Sequence, residues 1–115
     1  MGADTGRDAA KEADWRIKCG SLAEVRANID RLDNVITKLL CERLYFVNQA
    51  ANFKPSVAGV VVPARVEEIV NRVREMTKGH GANPDTIEAV YRAIIDAFTR
   101  DEQQNWRDMH GGAEK

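Results

Sequence analysis

From Leu22 to Lys54 the chain runs thirty-three residues without a glycine or a proline. Along it Leu22, Val25, Ile29, Leu32, Ile36, Leu39, Phe46, Ala50 and Phe53 recur at steps of three and four. That period is the apolar seam of one amphipathic helix, because side chains three and four apart share a helical face. One position departs from it: Arg43 stands where the spacing asks for an apolar residue. Arg26, Asp33, Leu40, Val47 and Lys54 form the adjoining stripe at seven-residue intervals. Cations in and beside a buried face require an anion to offset their desolvation.

The flanks delimit this helix. Ser21 with Glu24 three residues on forms a capping box at the start, and Pro55 ends the run after Lys54. Residues 55–64, PSVAGVVVPA, read as an apolar loop, since Val60-Val61-Val62 has strand propensity but no partner strand. A second helix follows, with Val66, Ile69, Val70, Val73 and Met76 on one face, and stops at Gly79-His80-Gly81. Asn83-Pro84-Asp85 starts a third: an N-cap, a proline in the first turn and an early acid. Its face is Ile87, Val90, Tyr91, Ile94, Ile95 and Phe98, with the period continuing into Glu102, Asn105 and Trp106. The expected fold is all-α, three helices, one of them very long. Residues 1–20 read as a flexible arm with a short turn docked through Trp15, residues 21–110 as the helical domain, and 111–115 as a disordered tail.

A continuous helix of this length spans roughly 45–50 Å, more than two shorter helices of the same chain can cover. Two copies paired antiparallel about a two-fold axis cover both seams, so an intertwined helical homodimer is expected. The competing arrangement is a monomeric three-helix bundle whose first helix bends or breaks near Asn48, although no glycine or proline interrupts the run. Arg43 and Lys54 lie on one face about 16 Å apart, so both can reach one small anion. Arg26 lies about 25 Å from Arg43 along the same helix, too far to join them. In an antiparallel pair, Arg26 of one chain completes the site that Arg43 and Lys54 make in the other. Taken singly, Arg26 is a solvated flank, Lys54 a complement to the helix dipole, Arg43 a snorkelling side chain and Glu102 the end of an apolar stripe. Their joint spacing is what points to a bound anion.

Composition removes several alternatives. The net charge is −1 with basic and acidic residues interspersed, unlike the basic footprint of a nucleic-acid binder. Cys19, Cys41, His80 and His110 are too scattered for a metal pattern, and two cysteines read as free thiols in a reducing compartment. No run approaches membrane-spanning length and the first residues carry no hydrophobic signal core, so a cytoplasmic location without membrane attachment is expected.

LAEVRANIDRLDNVITKLLCERL, with AANFK closing the helix, resembles the first helix of the all-helical (AroQ-class) chorismate mutase family. Arg26, Arg43 and Lys54 match its cationic positions in type and spacing, and Glu102 falls where the family places a glutamine or, in fungal members, a glutamate. The resemblance covers residues 21 to about 107. It implies a site shared across an intertwined dimer that binds chorismate, a dicarboxylate, without metal or cofactor. Arg26 from the partner chain and Arg43 would hold the carboxylates, Lys54 the breaking ether oxygen, and a protonated Glu102 would donate to that oxygen too. The reaction is then the [3,3] rearrangement of chorismate to prephenate. The short connector, the P-x-R-V after it and the W-R near the C-terminus are similar instead to the isochorismate pyruvate lyases, which release salicylate and pyruvate from isochorismate. Those enzymes usually carry glutamine at the Glu102 position. A third reading is a helical dimerisation module that keeps the fold without the activity.

Overall fold

The computed structural model describes residues 15–111. Three α-helices account for most of them: α1 (Leu22–Ala50), α2 (Pro63–His80) and α3 (Pro84–Met109). Short 3-10 turns at Ala51–Phe53 and Ala58–Val60 lie between α1 and α2, and the described residues contain no strand. None of the helices is long and apolar enough to cross a membrane.

α1 begins as its sequence dictates. The Ser21 hydroxyl accepts from the Glu24 N–H at 3.1 Å, while the Glu24 carboxylate accepts from the Gly20 N–H at 2.7 Å. The return arm of the capping box thus lands one residue early, on Gly20 rather than Ser21. The α-helix closes at Ala50, four residues short of Lys54. There the chain tightens into the first 3-10 turn, and Lys54 leaves it in extended conformation with φ −103° and ψ 138°. Pro55 imposes this, because its ring disfavours the helical region for the residue before it. Between 22 and 50 the helix is continuous, with no break at Asn48.

In the connector the second 3-10 turn tucks Val60 inward, at 5% exposed, and leaves Val61 and Val62 half-open. Gly59 permits the tight path: a Cβ there would stand 3.2 Å from Pro55 Cδ and 3.3 Å from Ser56 Oγ. α2 opens with Pro63 in its first turn, where a missing N–H costs nothing. It ends on Gly81 at φ 75°, the left-handed position glycine takes without strain. Its buried face is Ile69, Val70, Val73 and Thr77. Met76, expected on that face, is 57% exposed, and Thr77 takes its place by donating its hydroxyl to Val73 O at 2.7 Å.

α3 opens as expected, with Asn83 Oδ1 accepting from the Asp85 N–H at 2.9 Å. α2 and α3 pack as an antiparallel pair sewn by charges. Arg92 reaches Glu67 at 3.1 Å and Glu88 at 2.7 Å, while Arg74 reaches Glu88 at 2.7 Å and Asp85 at 3.0 Å. The C-terminal part of α1 joins α3 through Asn48 Nδ2 to Asp101 (2.8 Å) and Asn105 Nδ2 to Asn48 O (3.3 Å). The rest of α1 stands clear, and the chain measures 60 × 33 × 18 Å. No residue of α1 is buried, and Leu22, Ile29, Leu32, Ile36 and Leu39 are each 45–60% exposed. Val90, assigned to the buried face of α3, is likewise open.

The arm was expected to dock through Trp15, but Trp15 is exposed. Arg16 makes the contact instead, donating to His80 O at 2.7 Å and so capping the end of α2. Residues 1–14 and 112–115, to which most of the arm and tail expectations refer, lie outside the described residues.

Candidate active site

The three helices and the connector line a half-open cavity of about 320 Å³. α1 contributes Arg43, Phe46, Val47 and Ala50; Lys54 and Val60–Val62 come from the chain that follows. α2 adds Arg65, Val66 and Ile69, and α3 adds Ile95, Phe98, Thr99 and Glu102. The walls are largely aliphatic and aromatic, so the few charged groups among them act in a medium that screens them less than water does.

Lys54 and Glu102 form the centre of this charge. The Lys54 ammonium lies 3.0 Å from Glu102 Oε2 and also donates to Val60 O at 3.3 Å. Glu102 is 5% exposed, and its side chain is more deeply buried than that of Lys54. Lys54 reaches this position because the 3-10 turn after α1 redirects the chain toward α3. Glu102 reaches it because it continues the inward stripe of Ile95, Phe98 and Thr99 by whole turns.

Arg43 sits over two rings, 5.5 Å from the Phe98 centroid and 5.7 Å from that of Tyr91. Among the described residues it has no carboxylate partner. The aromatic faces hold the guanidinium by cation–π attraction and leave its N–H donors available to a ligand. Arg65 stands at the rim, bonded to Glu68 at 2.9 Å with more than half its side chain exposed. That hydrogen bond and the guanidinium charge lower the Glu68 carboxyl from its ordinary value. With Lys54 paired to Glu102 and Arg65 to Glu68, Arg43 is the cavity cation without a carboxylate partner among the described residues, and it suits an anionic guest.

The structure brings together three of the four residues that the sequence singled out: Arg43, Lys54 and Glu102. Arg26 is not with them; it lies exposed on the open stretch of α1. Arg65 was missed as a member of the site. Its signal was the P-x-R-V after the connector, two residues past Pro63, where the start of α2 turns toward the cavity.

The chorismate mutase type II family matches residues 25–103, more than half of the chain and every residue that lines the cavity. The chain belongs to this family. Among individual members, the isochorismate pyruvate lyase of Pseudomonas aeruginosa is 30% identical over 95 residues, 83% of this chain and 94% of that protein. The chorismate mutase of Methanocaldococcus jannaschii is 31% identical over 77 residues, 65% of this chain and 77% of that protein. Relatives of two named activities thus match this chain at nearly equal identity.

Proposed function

We propose that this chain is a homodimeric chorismate mutase that converts chorismate to prephenate with Arg43, Lys54, Glu102 and the partner's Arg26. The observation that carries the reading is the Lys54–Glu102 pair, 3.0 Å apart and opening on a cavity that also holds Arg43, which has no carboxylate partner among the described residues. Its volume lies at the small end of ligand pockets, which run from about 300 Å³ upward.

The rearrangement is unimolecular: the ether C–O bond breaks, a C–C bond forms, and no group leaves. No nucleophile is required. What the protein supplies is orientation and charge. Arg43 offers the planar fork that matches a carboxylate, with its ring contacts to Tyr91 and Phe98 fixing the approach. Lys54 donates to the ether oxygen as negative charge develops on it. Glu102 in its protonated form adds a second donor to the same atom. Arg65 at the rim supplies a further cation for the second carboxylate.

Dimerisation follows from the open face of α1. A row of half-exposed Leu, Ile and Val side chains along a projecting helix is stabilised when a second copy covers it. The antiparallel pairing that buries this row carries Arg26 of the partner to the Arg43 end of the cavity. A cytoplasmic location goes with this reading.

A second reading, isochorismate pyruvate lyase, is favoured by the longer span of the Pseudomonas relative and by Arg65 after the short connector. There the same ether bond breaks, a ring hydrogen moves to the enolpyruvyl carbon, and pyruvate leaves the aromatised ring. Glu102 favours the mutase, because an acid can protonate the ether oxygen where an amide cannot. The deciding experiment is a parallel assay without added metal. Prephenate from chorismate supports the mutase; salicylate and pyruvate as the main products from isochorismate select the lyase. A dimer that consumes neither substrate is a structural module.

A further inference from the structure

Lys54 is the last residue of a turn, no longer part of the α1 hydrogen-bond ladder, and it precedes a proline. A residue leaving a helix is fixed only by whatever partners its freed backbone groups find. Its N–H donates to Ala51 O at 3.2 Å. Its carbonyl is taken by Trp106, whose indole Nε1–H donates to Lys54 O at 2.9 Å. Trp106 lies on α3 one turn beyond Glu102 and is 5% exposed. One helix therefore grips Lys54 at both ends, Glu102 holding the ammonium and Trp106 the main chain.

The packing around the indole reinforces this. Trp106 forms one buried cluster with Ala51 in the turn before Lys54 and Val60 in the connector. Val60 is also the residue whose carbonyl receives the Lys54 ammonium. On its other side the indole is stacked by the His110 ring, centroids 3.8 Å apart and planes 18° from parallel. Trp106 touches the segment before Lys54, bonds Lys54 itself, and packs on the residue that steers its side chain.

We propose that Trp106 is the positioning residue for Lys54: its indole N–H fixes the Lys54 carbonyl so that the ammonium is delivered to the cavity in one place. The consequence for turnover rests on the reading of Lys54 as a group that acts on substrate; the positioning itself does not. A displacement of about 1 Å at such a group costs up to a hundredfold in rate.

The test is Trp106→Phe, which keeps an aromatic ring in the core and removes the N–H donor. The expected result is a fall in kcat of about tenfold or more, with KM within about twofold. A readout independent of turnover accompanies it. The Lys54 ammonium, assigned by its loss in Lys54→Arg, gives a protected nitrogen–proton signal in the wild type at low temperature. That signal vanishes in Trp106→Phe while the α3 amides stay protected from exchange. Retention of the signal overturns the proposal whatever happens to kcat, and so does its absence from the wild type. If Trp106→Phe loses α3 protection as a whole, benzothienylalanine at position 106 decides, since it keeps the two-ring shape and lacks only the N–H. If the wild-type dimer turns over neither chorismate nor isochorismate, the functional reading fails and the Lys54 signal alone decides the positioning.

Discussion

The ammonium of Lys54 meets the carboxylate of Glu102 at 3.0 Å across 48 residues of chain, and among the described residues this is the one ion pair that faces the cavity from inside. Removing either partner has a distinct effect. Lys54→Ala leaves an acid buried without its cation and, on the proposed mechanism, takes a donor from the reacting oxygen. Turnover is expected to fall about 10²–10³-fold, the loss typical of one donor aimed at developing negative charge. Steady-state kinetics on the folded variant, verified by circular dichroism, checks this.

Glu102→Gln separates acid from amide at constant shape. If the carboxyl passes a proton toward the ether oxygen, exchanging it for an amide is expected to lower kcat on chorismate by about 10²-fold. Glutamine can still offer an N–H but transfers no proton, so steady-state kinetics of the two proteins separate the roles. An unchanged kcat removes Glu102 from the proton role and strengthens the lyase reading, in which glutamine serves equally well.

Much of this was legible in the sequence wherever the deciding interactions are local. Ser21 with Glu24 and Asn83 with Pro84 start their helices as read, because a cap is settled within four residues. Arg43 was visible as a cation in an apolar seam. What it sits against, the rings of Tyr91 and Phe98, depends on how α3 crosses α1, which no periodicity encodes. The exchange of Met76 for Thr77 in the buried face is a rotation of one residue. Both residues fit a period of 3.6, and only the packed neighbour chooses between them. Arg65 was seen as part of a motif but not as part of the site, since its membership depends on the path of the connector over Gly59 and Val60. Arg26 remains apart from the other three in a single chain, as its distance along α1 requires.

The charge seam between α2 and α3 predicts an acid-sensitive fold. Hydrogen bonds from Arg92 and Arg74 hold the Glu88 carboxyl below its ordinary value. A carboxyl whose folded value is depressed stabilises the fold above its unfolded value and loses that contribution as the pH falls through the folded one. Glu88→Gln is therefore less thermostable than the wild type at neutral pH, and the gap narrows below about pH 4 and closes as the pH falls through the depressed folded value. Melting curves of both proteins across the acid range measure it. A gap that persists unchanged at low pH would assign the loss to packing instead of charge.

The apolar row on α1 predicts that assembly and turnover fail together. Leu32→Lys with Ile36→Lys places two charges where Leu32 and Ile36 stand 45% and 48% exposed in the single chain. Desolvating them in an interface costs several kcal/mol per ion, enough to dissociate a dimer at micromolar concentration. Sedimentation equilibrium is expected to report a monomer, and activity to disappear although Arg43, Lys54 and Glu102 are untouched. An active monomer would show that the cavity is complete within one chain.

The sharpest test of a shared site uses two inactive proteins. On the proposed shared site, Arg26→Ala removes the cation that each subunit lends and Arg43→Ala the one that each keeps, so either homodimer would have two damaged sites. In a heterodimer of the two variants, one cavity lacks both arginines. The other has its own Arg43 and receives Arg26 from the partner, so it is whole. Activity of the mixture, after exchange of subunits, is expected to approach half the wild-type rate per heterodimer. Subunit exchange is followed separately by a mass tag on one chain, so that heterodimer formation is known independently of rate. Full exchange without recovered activity would mean that Arg26 does not serve the neighbour's cavity, and that the cations on α1 act within their own chain.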